Sequence, residues 1–238
     1  MPTFIHGRNA VLEAARAGRV IRVYLASGLG HDPRLEELAR LAKVEVVTSD
    51  RLDAMAPGVN QGVAAELKPR RVWSLRELLE TDPSLLVALD SIMDPQNLGA
   101  ILRSAEVAGA DGAIVPERRS APLSPAAVKA SSGTTELLPI AMVSGMPSAV
   151  DQVKRAGIWC AALDVRGDTW PWDFDLTQRV CIVVGGEGQG VHRLVLERCD
   201  VRLKLPVRGK VGSLNASAAA AALLYEVTRQ RTKAASLD

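Results

Sequence analysis

The spacing of hydrophobic and polar positions divides this chain near residue 84. Before that point the apolar blocks are short and broken by glycine, proline and charge. Asn9 to Ala17 has helical spacing and stops at Gly18. Val20 to Leu25 predicts a strand closed by Ser27-Gly28-Leu29-Gly30, and Pro33 opens a helix reaching about Ala42. Val44 to Val47 predicts a second strand, Ser49 caps a short helix, and Gly62 to Glu66 predicts a further strand. Residues 1–66 are therefore expected to form a small α/β domain. Leu67-Lys68-Pro69-Arg70-Arg71 is basic and contains proline, and it opens an expected linker over 67–83. Its charge suits a solvated linker or contact with phosphate.

From Ser84 the elements lengthen and alternate. Leu85 to Leu89 is continuously apolar, as in a strand buried on both faces. A helix is expected from Leu98 to Ala108, a strand from Gly112 to Val115, and a helix from Pro125 to Ala130. Further strands are expected at Leu138 to Met142, Ile158 to Ala162, Val180 to Val184 and Val201 to Leu205. A last helix starts near Ala216 and runs to the C-terminal arginines. Strands alternating with helices predict a parallel sheet with crossover helices over 84–238.

The composition excludes several classes. The 238 residues are 47% hydrophobic and 24% charged, the balance of a globular chain rather than a disordered or coiled-coil one. Lys and Arg total 29 against 27 Asp and Glu, so phosphate contact must come from local clusters such as Lys68, Arg70, Arg71 and Arg208. Aromatics make up only 3%, too few for a broad base-stacking platform. Cys160, Cys181 and Cys199 match no zinc or CxxC spacing, and the first two sit in apolar runs as small buried hydrophobes. No apolar run has membrane-spanning length, and the first residues lack a signal-peptide core. A cytoplasmic location is the expectation.

Three loops that follow strands carry candidate chemistry, because ligands of open α/β sheets bind outside the carboxyl ends of strands. The first runs from Asp90 through Asp94-Pro95-Gln96-Asn97 into the helix bearing Arg103. Leu98, Ile101, Leu102, Ala105 and Ala108 share one helical face, and Arg103 points roughly 160° away from it. Arg103 is free to face a substrate or solvent, and Asn97 is a plausible N-cap. The second loop is Gly185-Gly186-Glu187-Gly188-Gln189-Gly190. Its glycine spacing matches neither a dinucleotide fingerprint nor a Walker loop. The third is Leu205-Pro206-Val207-Arg208-Gly209-Lys210-Val211-Gly212-Ser213-Leu214-Asn215 at the start of the last helix. Backbone donors there suit an anion, although Ser213, Asn215 and Ser217 also suit capping alone. No hydrolase triad and no metal-ligand spacing is evident, and His192 stands alone after the glycine loop.

Together the three loops resemble the motifs of the SpoU (TrmH-type) 2′-O-ribose RNA methyltransferases of the SPOUT superfamily. Asn97 to Arg103 matches N-L-G-x-x-x-R, Gly185 to Gly190 matches G-x-E-G-x-G, and Ser213 to Ala218 matches S-L-N-x-S-x-A. The resemblance spans roughly Leu85 to Arg231. Ile5-His6-Gly7-Arg8-Asn9-Ala10-Val11 looks like the ribosomal-protein-like substrate-binding domain of the subgroup acting on 23S rRNA. The resemblance implies S-adenosylmethionine as methyl donor, a deep C-terminal trefoil knot in the parallel-sheet domain, and a homodimer. It implies that Gly185, Gly190, Leu205, Val207 and Leu214 hold the donor. It further implies that Asn97, Arg103, Glu187, Ser213 and Asn215 serve catalysis, without a metal. Alternatives are the same reaction on tRNA or on an rRNA adenosine, a silent RNA-binding protein, and a nicotinamide enzyme. The wrong glycine spacing speaks against the last.

Overall fold

A computed structural model describes residues 3–68, 71 and 73–236. Its first unit contains β1 (Thr3–His6), α1 (Arg8–Arg16), β2 (Val20–Ala26), α2 (Pro33–Leu41), β3 (Val44–Val47), α3 (Ser49–Met55) and β4 (Val63–Leu67). The strands form one sheet in the order β1-β4-β2-β3. β4 is antiparallel to both β1 and β2, whereas β2 and β3 are parallel. β1 was not expected from the pattern, because Thr3-Phe4-Ile5-His6 carries only two apolar residues where β3, of the same length, carries three. Ser49 is the first residue of α3 rather than its cap; the Thr48 side chain accepts from the Arg51 amide.

The expected linker contains α4 (Leu75–Glu80). Ser74 and Glu77 close a capping box at its start, and Leu75 and Leu78 are buried. Three leucines in six residues span too few turns to show a period, and the helix is fixed by packing against the large sheet. Pro69, Arg70 and Val72 of the same stretch lie outside the described residues.

The second sheet contains β5 (Leu85–Asp90), β6 (Gly112–Pro116), β7 (Ile140–Val143), β8 (Trp159–Leu163), β9 (Val180–Gly185) and β10 (Val201–Leu203). All are parallel, in the order β10-β8-β9-β5-β6-β7. The helices are α5 (Pro95–Val107), α6 (Pro125–Ala130), α7 (Met146–Arg155), α8 (Arg193–Leu196) and α9 (Ala216–Ala235). α7 fills the crossover that the expected strands left unassigned.

The continuous apolar run of β5 follows from double burial. Leu85, Val87 and Leu89 pack with α5 and α9, while Leu86 and Ala88 pack with α4, α7 and α8. The chain leaves β5 toward β6 and leaves β9 toward β10, on the other side. Neighbouring β5 and β9 thus form the topological switch point, where their carboxyl ends open a crevice. α6 packs on α5 and on β1, and Val128 of α6 joins the apolar core of the first unit. The two units are thereby anchored to each other beside the first motif.

Cys160 and Cys181 are fully buried. Burial pushes the Cys199 thiol up to about 12, so it is not a thiolate at neutral pH. Among the described residues no helix is long and apolar enough to cross a membrane.

Half-buried Arg231 ties α9 to the start of the sheet. It donates to the Ser84 carbonyl at 2.9 Å, to that of Gln178 at 3.0 Å and to that of Leu176 at 3.2 Å. Arg231→Ala leaves these acceptors unmatched and is expected to cost about 2 kcal/mol. The urea midpoint should fall with no change in slope; an unchanged midpoint would refute the anchoring role.

Candidate active site

The three motif loops converge at the β5–β9 crevice. Asp94 caps α5, accepting from the amides of Gln96 at 3.1 Å and Asn97 at 3.2 Å. Asn97 is therefore not the N-cap. It lies in the first helical turn with only 7% exposure. Its Nδ2 donates to Glu187 Oε1 at 2.8 Å. Asn215 Nδ2 donates to the same oxygen at 2.6 Å and to Asn97 Oδ1 at 3.0 Å.

Chemistry fixes the orientation of Asn215. Its Oδ1 caps α9, accepting from the amides of Ser217 at 2.9 Å and Ala218 at 3.3 Å and from Ser217 Oγ at 2.6 Å. Amides only donate, so Oδ1 must face the helix and Nδ2 must face Glu187. One side chain both caps α9 and joins Asn97 and Glu187.

The glycine loop turns back sharply. A Cβ at Gly185 would lie 2.0 Å from the Gly190 carbonyl carbon, and one at Gly186 would lie 2.2 Å from the Ser91 oxygen. The Gly186 amide donates to the Asp90 carbonyl at 3.0 Å, and the Gly190 amide to that of Gly186 at 2.9 Å. Glycine is needed here for close backbone approach, which holds Glu187 over the crevice.

A cavity of about 640 Å³ opens beside this network. Gly185, Gly190, Leu205, Val207 and Leu214 all line it, together with Glu187, Ser213 and Asn215. Sequence reasoning missed Asp164, which also lines it and has an 8% exposed side chain. The available signal was its place one residue beyond β8, at the carboxyl edge of the sheet. The apolar walls, free backbone groups and two carboxylates fit an adenosyl ligand that carries a sulfonium charge.

The structure does not bring Arg103 into this cavity. Arg103 is exposed on α5, and among the described residues it has no hydrogen-bond or ion-pair partner. Among the other expected phosphate contacts, Lys68 donates to the Gly18 carbonyl at 2.8 Å, and Arg71 stacks 3.8 Å from the Trp73 ring centre. Arg208 is exposed, and Arg70 lies outside the described residues. His192 is not isolated: Asp90 accepts from its amide at 2.7 Å and lies 3.0 Å from its Nδ1.

Fold and site define the class, an α/β enzyme domain with its ligand cavity at the switch point of a parallel sheet, joined to a small second domain. The chain belongs to the SpoU rRNA Methylase family, whose profile matches residues 84–225. A second profile, RNA 2′-O ribose methyltransferase substrate binding, matches residues 4–73. The chain is 40% identical over 96% of both chains to the 23S rRNA (guanosine-2′-O-)-methyltransferase RlmB of Pseudomonas aeruginosa. It is 37% identical, again over 96% of both, to a putative TrmH family tRNA/rRNA methyltransferase of Staphylococcus aureus. It also resembles the SpoU methyltransferase AviRb of Streptomyces viridochromogenes solved with AdoMet, with TM-score 0.83 and 27% identity over 97% of this chain and 91% of that one.

Asn97→Asp tests the network. It places a second carboxylate oxygen near Glu187 Oε1, and two carboxylates so close share a proton in the folded state. The unfolded chain releases that proton near pH 4, so stability falls as pH rises from about 4 toward 7. The variant should approach wild-type stability near pH 4 and lose about 1–3 kcal/mol at pH 7. A wild-type pH profile would refute the contact.

Proposed function

We propose that this protein transfers the methyl group of S-adenosylmethionine to a ribose 2′-hydroxyl of RNA, a guanosine of 23S rRNA being its target. The observation that carries the reading is the meeting of Asn97, Glu187 and Asn215, one from each motif, beside a cavity that Glu187 and Asn215 line. The target rests on the rRNA guanosine relative and on the substrate-binding profile.

Gly185, Leu205 and Leu214 hold the donor through backbone groups and apolar walls, with Gly190 and Val207 beside them. When bound, S-adenosylmethionine supplies a methyl group already activated by its sulfonium charge. The ribose oxygen is a weak nucleophile until its proton is shared or removed. A guanidinium group does not serve as a base near neutral pH, so Arg103 acts as an electrostatic stabiliser of the charge developing on that oxygen. Asn97 and Asn215 hold Glu187 by one oxygen, leaving the other to position the ribose. Ser213, exposed on the third loop, contacts the substrate.

The working unit is a homodimer. Arg103 and Val107 lie one turn apart on α5, and Val107 is 62% exposed. A second copy packed on this face brings Arg103 to the neighbouring cavity, which the isolated chain leaves without it. The loop from Leu205 to Asn215 and the glycine loop form the trefoil knot that the family resemblance implies. An rRNA substrate makes the cytoplasm its place of work.

Labelled methyl transfer to unmodified 23S rRNA and, separately, to bulk tRNA tests the reading. Label is expected in 23S rRNA alone and in an alkali-resistant step. Label in tRNA alone would overturn the target, and absence of donor binding would overturn the enzyme reading. Arg103→Ala should lower transfer by at least about 100-fold with donor affinity nearly unchanged; wild-type turnover would refute its role. Val107→Glu should sediment as a monomer, and an unchanged sedimentation coefficient would refute that interface.

A further inference from the structure

A second cavity, of about 460 Å³, opens at the carboxyl edge of the large sheet on its opposite face. Asp90, Ser91, Arg118, Arg119, His192 and Arg193 are among the residues that line it. The reading of the first cavity uses none of their side chains.

Its basic groups differ from most others in the molecule. Among the described residues, Arg118 and Arg119 are exposed and have no hydrogen-bond or ion-pair partner. Arg193 is held by Glu197 at 2.5 Å. The segment bearing the arginines is nevertheless fixed. The Glu117 amide donates to the Val143 carbonyl at 2.9 Å, and the Ala121 amide to that of Ile92 at 2.7 Å. Ser120 Oγ donates to the same Ile92 oxygen at 3.4 Å. Two unpaired guanidinium groups are thus carried on a pinned turn, whose geometry is set before any ligand arrives.

Two of the five described non-glycine residues with positive φ line this cavity. Arg119 has φ +59° and Ser91 has φ +62°, in the left-handed region that non-glycine residues seldom occupy. Strain of this kind persists where surrounding structure imposes it, often at ligand sites.

The imidazole is oriented as well. The Asp90 carboxylate, 4% exposed, accepts from the His192 amide and from ring Nδ1–H. Nδ1 is thereby committed, and Nε2 is the ring nitrogen left for a ligand. The same Asp90 contributes its backbone carbonyl to the Gly186 amide, so both cavities share the loop 185–192 as a wall.

We propose that this second cavity binds a phosphodiester of the substrate RNA next to the methylated nucleotide. Arg118 and Arg119 grip the phosphate oxygens, and His192 contacts the same backbone unit through Nε2. Paired guanidinium donors match phosphate geometry and stay charged. The inference rests on the RNA reading above and adds a subsite to it.

The test is RNA binding as a function of salt, measured by fluorescence anisotropy on an in vitro transcript of 23S rRNA. It compares the wild type with R118A/R119A and R118K/R119K. Alanine at both positions should weaken binding at least about tenfold near 0.1 M salt. It should also reduce the slope of log Kd against log salt by about 1 to 2. Lysine should restore the slope, because the charge returns, while recovering only part of the affinity. Donor affinity, measured by calorimetry, should stay unchanged in both variants and so report an intact fold. An unchanged slope and Kd in the alanine variant would overturn the subsite even if the wild type methylates RNA. A reduced slope supports the subsite even if the methyl acceptor proves to lie in another RNA, because the binding readout does not depend on transfer.

Discussion

One carboxylate oxygen organises the active region. Glu187 Oε1 accepts from Asn97 at 2.8 Å and from Asn215 at 2.6 Å, and these residues come from three segments far apart in sequence. The loops have little hydrophobic packing of their own; residues 206–215 are exposed along their whole length. Hydrogen bonds to a charged acceptor are worth roughly twice neutral ones, and here two of them hold three segments. Each asparagine is also fixed at its other end. Asn97 sits in the buried first turn of α5, and Asn215 spends its carbonyl on the N-terminus of α9. The exposed loops are thus referenced to two helices packed side by side.

The sheet explains why these helices begin where they do. β5 and β9 are neighbours, and the chain departs from them in opposite directions, so their carboxyl ends face no continuing strand. Everything attached there is polar or glycine: Asp90, Ser91, Gly185 and Gly186. Asp90 is the turning point. Its side chain orients His192 on one face of the sheet, while its carbonyl holds the glycine loop that lines the cavity on the other. A substitution of the Asp90 side chain removes the hold on His192 and leaves the carbonyl's bond to the glycine loop in place.

Much of this was legible in the sequence because double burial and motif spacing are strong signals. The unbroken run Leu85 to Leu89 gave away a central strand, and the three loops carried their residues in order. What escaped was short or context-dependent. β1 has only two apolar residues and α4 lies beside a basic, proline-containing stretch, so their leucines and isoleucine gain meaning only against partners distant in sequence. α7 was readable in principle, since Met146, Ala149, Val150 and Val153 fall at i, i+3, i+4 and i+7 and are all buried. Asn97 as a cap was a reasonable local inference, but Asp94 three residues earlier was the better acceptor, placed before Pro95 at the first helical position. Helical geometry put Arg103 away from the core and left open what it faces, because among the described residues nothing pairs with it.

The charge pattern also sets how RNA must be held. A net charge of +2 gives no long-range field of consequence beyond a Debye length of about 8 Å. Many arginines are already spent inside the fold: Arg8 and Arg34 on Asp32, Arg16 on Glu13 and Glu37, and Arg198 on Asp151. Those without partners among the described residues include Arg103, Arg118, Arg119 and Arg208, on α5 and on loops that follow β6 and β10. Affinity built from a few placed arginines is gained only on contact, when phosphates reach defined positions. Such a surface rejects RNA of the wrong shape more strongly than a basic coat would, because misplaced phosphates gain almost nothing in return for ordering the strand.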